Sequence, residues 1–289
     1  MITAIALALV TFAADTTVPV TKGQRLDVNV HSGSVTVRTW NRDAVKVEGE
    51  PEERDQIRVR SRATSVDVET TAKYGPPGSV DLVITMPVGM ALDVSGVELD
   101  VTIQGCRCAM HVETVQGDVT VTGGEGTVSL QSVEGSVKLT SATGTVEVNS
   151  VNDDVEVRDV TGDVAAETVN GDITLSGIRG GNVTATTVNG DVSFDGEVRK
   201  GGTYSLTSHE GDVDFSLPPN VGATVRVNTF NGSFESDYEV TLQGRTGRSQ
   251  RLTFALGGGG ASIALESFNG DIRLLKPGSH GKSRGGHRD

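Results

Sequence analysis

The 289-residue sequence has few aromatic residues and very little cysteine. Aromatic side chains account for 4% of the residues, so we expect a core of valine, isoleucine, leucine and alanine rather than of large rings. Cysteine occurs only at Cys106 and Cys108. A disulfide between positions i and i+2 is geometrically strained, and no second cluster of Cys or His completes a tetrahedral zinc site. We therefore predict that both cysteines are small core residues and that the chain binds neither a metal nor a cofactor.

The sequence is also short of positive charge. It has 25 Lys and Arg residues against 38 Asp and Glu residues, which gives a net charge of −13. A surface of this sign repels nucleic acid and anionic lipid. We therefore expect no nucleic-acid partner.

Long apolar segments are missing, and residues 1–14 are the one candidate for a targeting segment. They read M-I-T-A-I-A-L-A-L-V-T-F-A-A, an uncharged run too short to span a bilayer as a helix. The small residues before Asp15 are typical of a secretory signal peptide, which predicts a secreted, periplasmic or cell-surface product with no membrane span. The segment lacks the basic residue expected at its start, so a mis-set start codon or a buried first strand remains an alternative.

What the sequence has in abundance is a short repeated phrase. It reads V-Q-G-D-V-T-V at Val115, V-E-G-S-V-K-L at Val133, V-N-D-D-V-E-V at Val151, V-N-G-D-I-T-L at Val169 and V-N-G-D-V-S-F at Val188. These copies begin 18, 18, 18 and 19 residues apart, and weaker echoes lie midway between them. A short fixed period is the signature of a stacked architecture, in which neighbouring units complete one another's core.

Within each copy apolar and polar residues alternate, which predicts a strand with one buried face. The finer period of nine is odd, so the chain must bend between units, and pairs such as Asn149-Ser150 and Glu167-Thr168 supply that corner. Glycine at the third place of the phrase suits a positive φ or a close approach of the neighbouring coil. It stands at Gly117, Gly135, Gly144, Gly162, Gly171 and Gly190. Regular spacing favours coils that wind in one direction, with a hairpin meander as the alternative.

If 18 residues make one coil, equivalent residues stack about 4.8 Å apart. One internal ladder then contains Val119, Val137, Val155, Ile173 and Val192. One outer corner then carries Asp118, Ser136, Asp154, Asp172 and Asp191. Carboxylates in such a row could collect Ca²⁺, but Asp after a turn commonly bonds its own backbone instead. We therefore assign no metal-binding residue.

The flanking segments predict further strands and the bounds of the domain. Upstream, alternating runs begin at Leu26, Ser34, Val45, Ile57, Val66 and Val80. Downstream, the phrase returns with Phe230 and Phe268 in place of valine, separated by a polar loop at residues 241–251. We predict one β-solenoid domain over residues 15–275, with central repeats at about 94–217, and a disordered tail at 276–289. The divergent N-terminal strands and the segment from Phe230 to Leu275 are candidate caps for the open strand edges, which predicts a monomer.

These residues resemble a known family, the bacterial "putative adhesin" domains, also catalogued as β-strand-repeat domains of unknown function. The resemblance extends over nearly all of the chain after residue 14. It rests on S-G-S-V-T-V-R-T-W-N from Ser32, V-D-L-V-I-T-M-P-V-G-M-A-L-D-V from Val80, the V-N-G-D units, and S-L-P-P-N-V-G-A-T-V-R-V-N-T-F-N-G followed by S-F-N-G-D-I-R-L-L-K. It implies an all-β, single-stranded, right-handed β-solenoid on or outside a bacterial cell. The family pattern offers no catalytic residues to transfer.

Motifs for chemistry are missing as well. No H-E-x-x-H, G-x-S-x-G, P-loop or dinucleotide-binding fingerprint stands in a supporting context. Asp154, Asp172 and Asp191 recur uniformly, whereas a glycoside hydrolase needs two acids in different environments. We therefore predict no catalytic residue, and a non-enzymatic module that binds a surface protein or a glycan. A carbohydrate-active β-helix enzyme and an envelope sensory or assembly component are the alternatives.

Overall fold

The computed structural model describes residues 9–11, 15–51, 54–240, 243–245 and 250–278. Over those ranges the chain forms 26 β-strands and no helix. It divides into two compact units, residues 1–156 (unit 1) and residues 157–289 (unit 2). The predicted signal peptide lies outside the described residues except for Leu9–Thr11, which form a strand. The predicted disordered tail lies outside them from residue 279 onwards.

Unit 1 contains strands β1 to β13. Their bounds are β1 Leu9–Thr11, β2 Asp15–Pro19, β3 Arg25–Trp40, β4 Ala44–Gly49, β5 Asp55–Ser61, β6 Ser65–Ala72, β7 Ser79–Pro87, β8 Ala91–Cys106, β9 Met110–Gln116, β10 Val119–Gly123, β11 Glu125–Glu134, β12 Val137–Thr140 and β13 Thr143–Asn149. Strand β14, Val155–Arg158, contains the boundary between the units.

The strands of unit 1 wind into parallel coils. β10 pairs with β8 on one side and with β12 on the other, which places Val101, Val119 and Val137 side by side at intervals of 18 residues. The first half of β8 pairs with β9, and β9, β11 and β13 continue that row of strands. All of these pairings are parallel. They confirm the predicted solenoid and its 18-residue coil, and the hairpin meander is wrong for these coils.

The 16-residue strand β3 shows how the chain turns a corner. Its buried residues are Leu26, Val28 and Val30 before the bend, then Val35 and Val37 after it. The buried positions therefore change from even to odd numbers within one strand. A bend within this one continuous strand makes the change.

The order of coils in unit 1 differs from their order in the sequence. β3 pairs with β8 on one side and with β6 and β7 on the other, so the first coil of the chain lies second in the stack. Antiparallel strands cover the far edges, since β5 pairs with β6 and β4 pairs with β7. β1 then pairs with β5, and β2 pairs with β4. These strands occupy the edges that the predicted N-terminal cap was expected to protect.

Unit 2 contains strands β15 to β26. Their bounds are β15 Thr161–Glu167, β16 Ile173–Ile178, β17 Asn182–Asn189, β18 Val192–Gly196, β19 Thr203–Glu210, β20 Val213–Ser216, β21 Ala223–Asn231, β22 Phe234–Ser236, β23 Gln243–Arg245, β24 Gln250–Leu256, β25 Ala261–Asn269 and β26 Ile272–Leu275.

The coils of unit 2 are parallel too, and again one of them is out of sequence order. β15, β17, β19, β25 and β21 lie side by side in that order, so the last coil is inserted before the one that precedes it in the chain. β18, β20, β26 and β22 follow the same order in the second row. β24 pairs antiparallel with the far edge of β21, and β23 pairs with β24. The predicted polar loop at residues 241–251 is therefore wrong over these two strands.

The core of unit 2 contains large rings that the composition did not lead us to expect. Phe194, Tyr204 and Phe215 are fully buried, with ring centroids 4.7–5.9 Å apart. The Tyr204 hydroxyl donates to the Gly180 carbonyl at 2.9 Å and accepts the Arg199 N–H at 2.8 Å. Burial raises the pKa of Tyr204, which the Arg199 N–H opposes. The polar end of this ring is thus satisfied inside an otherwise apolar core.

Cys106 and Cys108 are buried as predicted, but their sulfur atoms are joined in a disulfide. Their Cα atoms lie 5.5 Å apart, within the usual range for a bridge. The chain leaves the strand here: the Arg107 N–H donates to the Val88 carbonyl, and the Cys106 carbonyl accepts the Gly124 N–H. The expectation that these cysteines do not bridge is wrong, because it assumed that both stand on one extended strand.

Candidate binding surface

Most coils turn one corner on a buried hydroxyl group. Thr187 donates to the Gly171 carbonyl at 3.0 Å, and Ser208 donates to the Gly190 carbonyl at 2.8 Å. The same bond to a neighbouring coil recurs at Thr114, Ser132, Ser150, Thr229 and Ser267. All of these hydroxyl residues are buried. A buried hydroxyl without a partner is costly, so each bond fixes the corner against the next coil.

Three positions after the hydroxyl, a glycine lets neighbouring coils approach. Gly135 and Gly190 have φ values of +152° and +156°. A Cβ atom on Gly135 would overlap the carbonyl group of Gly117, and one on Gly190 would overlap that of Gly171. This confirms the predicted positive φ and close approach at both positions.

Directly after the hydroxyl stands a residue that must point outward. In unit 1 these residues are Val115, Val133 and Val151, and Val97 takes the same outward place after Gly96. The four valines are 37–44% exposed. Strand register and the bond from the Asn152 N–H to the Val133 carbonyl place them on successive coils. We call this row the valine stripe.

In unit 2 the outward residue changes from valine to aromatic rings. Val169 and Val188 are followed on the next coils by His209, Phe268 and Phe230. Phe268 stacks between the other two rings, with centroids 4.9 Å away on each side and interplanar angles of 10° and 4°. Phe268 is 43% exposed and Phe230 is 50% exposed. We call His209, Phe268 and Phe230 the aromatic stripe.

A second outward row runs beside the aromatic stripe, on the other side of the buried hydroxyls. Strand pairing places it across β17, β19, β25, β21 and β24 as Thr186, Thr207, Glu266, Asn228 and Arg251. We call it the polar row. The stripe and the row enclose a groove of about 500 Å³, with Thr187, Ser208 and Ser267 among its lining residues. We call this space the aromatic groove, and its volume is within the usual range of ligand sites.

The carboxylates predicted along an outer corner form a ladder of hydrogen bonds. In unit 1, Asp118 Oδ1 accepts the Ser136 N–H at 2.8 Å and the Ser136 hydroxyl at 2.9 Å. In unit 2, Asp172 accepts the Asp191 N–H at 2.8 Å, and Asp191 accepts the Asp212 N–H at 2.7 Å. The prediction that these groups bond their own backbone is wrong at these positions. They bond the equivalent residue of the next coil and so join the coils together.

Stacking carboxylates in unit 2 has an electrostatic cost. Burial raises the pKa of Asp191, and the nearby carboxylates of Asp212, Asp172 and Asp214 raise it further, while the Asp212 N–H opposes the shift. Arg273 pairs with Asp212 at 3.0 Å and with Asp214 at 2.5 Å. This guanidinium offsets part of the repulsion within the ladder.

The described part of the chain offers no metal centre. None of its His, Cys, Asp and Glu residues form a group of three or more that is placed to hold a metal ion. Nor do the described residues include a helical segment with the length and apolarity needed to traverse a bilayer.

Sequence reasoning located some parts of this surface and missed others. It singled out Phe230 and Phe268 as replacements for valine, and the structure stacks them on adjacent strands. It missed the polar row, because Arg251 was expected in a loop and lies in β24. It also missed the hydroxyl ladder, although Ser or Thr precedes the outward residue at each of these corners.

The repeated phrase and the coil geometry correspond to a known protein family. The family model described as Toastrack DUF4097 matches residues 23–275. The chain belongs to the Toastrack DUF4097 family. This confirms the predicted resemblance to adhesin-like domains of unknown function, and the Toastrack fold is a β-helix-like solenoid.

Two solved structures are similar to this Toastrack chain over most of their length. One is a putative cell adhesion protein from Clostridium sporogenes ATCC 15579, with 9% identity, a TM-score of 0.27, and coverage of 90% of this chain and 97% of the other. The other is a putative adhesin from Bacteroides fragilis NCTC 9343, with 13% identity, a TM-score of 0.42, and coverage of 90% and 96%. No curated protein matches the chain.

Proposed function

We propose that this protein is an exported, non-catalytic β-solenoid that binds another component of the bacterial cell envelope. The observation that carries the proposal is the outward apolar stripe in each unit, whose valine and phenylalanine members are 37–50% exposed. Contiguous exposed apolar patches of this kind mark interaction sites on soluble proteins. The corner that stabilises each coil therefore also presents a surface to a partner.

The non-catalytic part of the proposal is supported by the carboxylate ladder. Asp172 and Asp191 each accept an N–H from the next coil, so both carboxylates serve to join neighbouring coils. A glycoside hydrolase instead requires two acids whose environments hold them in different protonation states. Release of reducing ends from envelope glycans by the purified protein would contradict this part.

Export is supported by the uncharged apolar run at residues 1–14. Fractionation of expressing cells, followed by sequencing of the mature N-terminus, tests it. We expect the protein outside the cytoplasm with an N-terminus near Ala13, Ala14 or Asp15. A cytoplasmic product that still begins at Met1 would refute export.

Binding is tested by co-sedimentation of the purified chain with isolated envelope fractions. We expect saturable binding by the wild type and weaker binding by a variant that carries Val115→Ser, Val133→Ser, Val188→Ser and Phe268→Ser. A matched control carries Thr120→Ser and Lys138→Ser, which lie at other outward positions, on β10 and β12. Binding that is absent in the wild type, or equal in all three proteins, would refute the proposal.

A further inference from the structure

The aromatic groove lies on the face of a sheet whose strands are all paired. β17, β19, β25, β21 and β24 each have a partner on both sides, so the ladder uses the backbone groups beneath the groove. An extended peptide binds a sheet by adding a strand to a free edge. Among the described residues, the strands beneath the groove are paired on both sides as far as Thr229 of β21. Most of the groove therefore offers no such edge, and its ligand must be recognised mainly by side chains.

The apolar wall of the groove is narrow and periodic. It is one side chain wide, and its three rings repeat at 4.9 Å. A standard protein interface buries about 800 Å² on each partner, which is much more than one row of rings can cover. The groove volume of about 500 Å³ instead suits a small or chain-like ligand.

The opposite wall supplies polar groups of every kind needed to recognise hydroxyl groups. Thr186 and Thr207 both donate and accept, Asn228 carries an amide, Glu266 only accepts and Arg251 only donates. The carboxylate and the guanidinium cancel in formal charge. Since the whole chain carries a net charge of −13, a polyanionic ligand is disfavoured.

The ligand must therefore have an apolar side, a hydroxyl-rich side, no net charge and a short repeat. A sugar ring has C–H groups on its faces and hydroxyl groups around its rim, and a linear glycan repeats that pattern along its length. We infer that the aromatic groove of unit 2 binds a linear, uncharged glycan along the aromatic stripe, with its hydroxyl groups toward the polar row. This inference rests on the proposed function and names its ligand class and site.

The test is titration calorimetry of the full-length chain with three probes: a neutral β-1,4-linked hexasaccharide, the matching monosaccharide, and an oligogalacturonate hexasaccharide as the anionic probe. We expect the neutral hexasaccharide to bind and the other two to bind much more weakly. Phe268→Ala should reduce affinity about tenfold or more, as truncation of an anchoring ring does. Arg251→Ala should also weaken binding, and Val133→Ala, at the equivalent corner of unit 1, should not.

Phe268 is exposed, so Phe268→Ala should leave the fold intact. Far-UV circular dichroism checks this, and Phe230→Ala is the second variant to use if Phe268→Ala does not fold. Neutral hexasaccharides from several linkage classes that all fail to bind would overturn the inference. Binding that is unchanged by Phe268→Ala and by Arg251→Ala would also overturn it. If groove variants still bind envelope fractions while no glycan binds, the ligand assignment fails and the proposed function stands. If neither glycans nor envelopes bind, both fail.

Discussion

Unit 1 and unit 2 are built from the same corner but present different surfaces. In each unit a buried hydroxyl bonds to the neighbouring coil, the next residue points outward and a glycine follows, as at Ser132 to Gly135 and at Thr187 to Gly190. The outward residues are valines in the valine stripe, whereas unit 2 changes to His209, Phe268 and Phe230. The inward parts of the corner are constrained by the stacking of coils. The outward position is free of that constraint, so its change to rings is better explained by binding than by folding.

If the shared corner stabilises both units, substitution of its glycine should destabilise each of them by a similar amount, and this is the largest effect that we expect. We expect Gly135→Ala in unit 1 and Gly190→Ala in unit 2 each to lower the free energy of unfolding by about 3 kcal/mol or more. The added Cβ would combine an unfavourable positive φ with overlap of a carbonyl group in the next coil. Urea denaturation followed by circular dichroism measures the change.

Each unit offers a glycine whose substitution controls for the loss of backbone freedom alone. A Cβ on Gly181 of unit 2 would meet nothing within 4 Å, and one on Gly89 of unit 1 would meet its nearest atom at 4.0 Å. Gly181→Ala and Gly89→Ala should change stability by no more than about 0.5 kcal/mol. Costs at Gly135 and Gly190 as small as these would show that the coils can move apart and that the glycine does not define the corner.

The hydroxyl of the corner gives the second test. Thr114→Val and Thr187→Val keep the shape of the side chain and remove the bonds to Leu99 and Gly171, so each should cost about 1–2 kcal/mol. Thr186→Val, at an outward position beside Thr187, is the control and should cost about 0.5 kcal/mol or less. A large cost in one unit with none in the other would mean that the units do not share a stabilising device.

Much of this shared architecture could be predicted from the sequence, because it repeats in the sequence. The period of 18 set the register of Val119 and Val137 correctly, since each coil meets an equivalent copy of itself. What could not be predicted is which coil neighbours which at the ends. β3 and β25 are both out of order in their stacks, and every coil offers nearly the same apolar face to its neighbour.

The candidate site was predictable only in part for the same reason. Phe230 and Phe268 stand out in the sequence, but they are 38 residues apart, and only the insertion of β25 beside β21 stacks their rings. Arg251 joins the polar row because β24 pairs antiparallel with β21, which the polar sequence around it did not suggest. The disulfide at Cys106 depended on a local turn that the spacing of the cysteines did not reveal.

The carboxylate ladder gives a smaller test, in which pH sharpens the contrast between the units. In unit 1 Asp118 lies between Asp100 and Ser136 and so has one carboxylate neighbour in the ladder. In unit 2 Asp191 lies between two, Asp172 and Asp212, with Asp214 and Arg273 nearby. Burial raises the pKa of folded Asp191 above its unfolded value. The folded state therefore takes up the proton first as pH falls, so the charge destabilises the protein above the folded pKa. That cost disappears as pH falls through the folded pKa and then the unfolded pKa.

Asp191→Asn should remove this contribution while keeping an oxygen that accepts the Asp212 N–H. We expect the variant to be more stable than the wild type at neutral pH, and the difference to shrink as the solution is acidified. Paired urea titrations at several pH values measure it, and NMR titration of the Asp191 carboxyl group gives the pKa directly. Asp214→Asn, which removes one of the raising charges, should lower that pKa. A difference that grows on acidification would mean that the carboxylate is stabilised, not destabilised, in the folded ladder.

The smallest effect that we expect is a difference in the rate of asparagine deamidation among the coils of unit 2. Four Asn-Gly pairs occur in this unit, at Asn170, Asn189, Asn231 and Asn269. In three pairs the glycine N–H donates to a carbonyl group of the next coil at 2.9–3.2 Å: Gly171 to Asn189, Gly190 to Glu210, and Gly270 to Asn231. Among the described residues, the Gly232 N–H has no such acceptor, because β22 pairs with β26 alone.

Asn-Gly pairs deamidate when the glycine nitrogen attacks the asparagine Cγ, which closes a succinimide and releases ammonia; water then opens the ring to aspartate or isoaspartate. A nitrogen that donates to the next coil is held away from that attack, so we expect Asn231 to react first during incubation at mildly alkaline pH. Peptide mapping by mass spectrometry follows all four sites in one sample. In urea-unfolded protein the four sites should react at similar rates, which controls for sequence context. Equal rates in the folded protein would show that the coil of Asn231 is as well protected as the other three. Coil stacking would then not set the reactivity of these pairs.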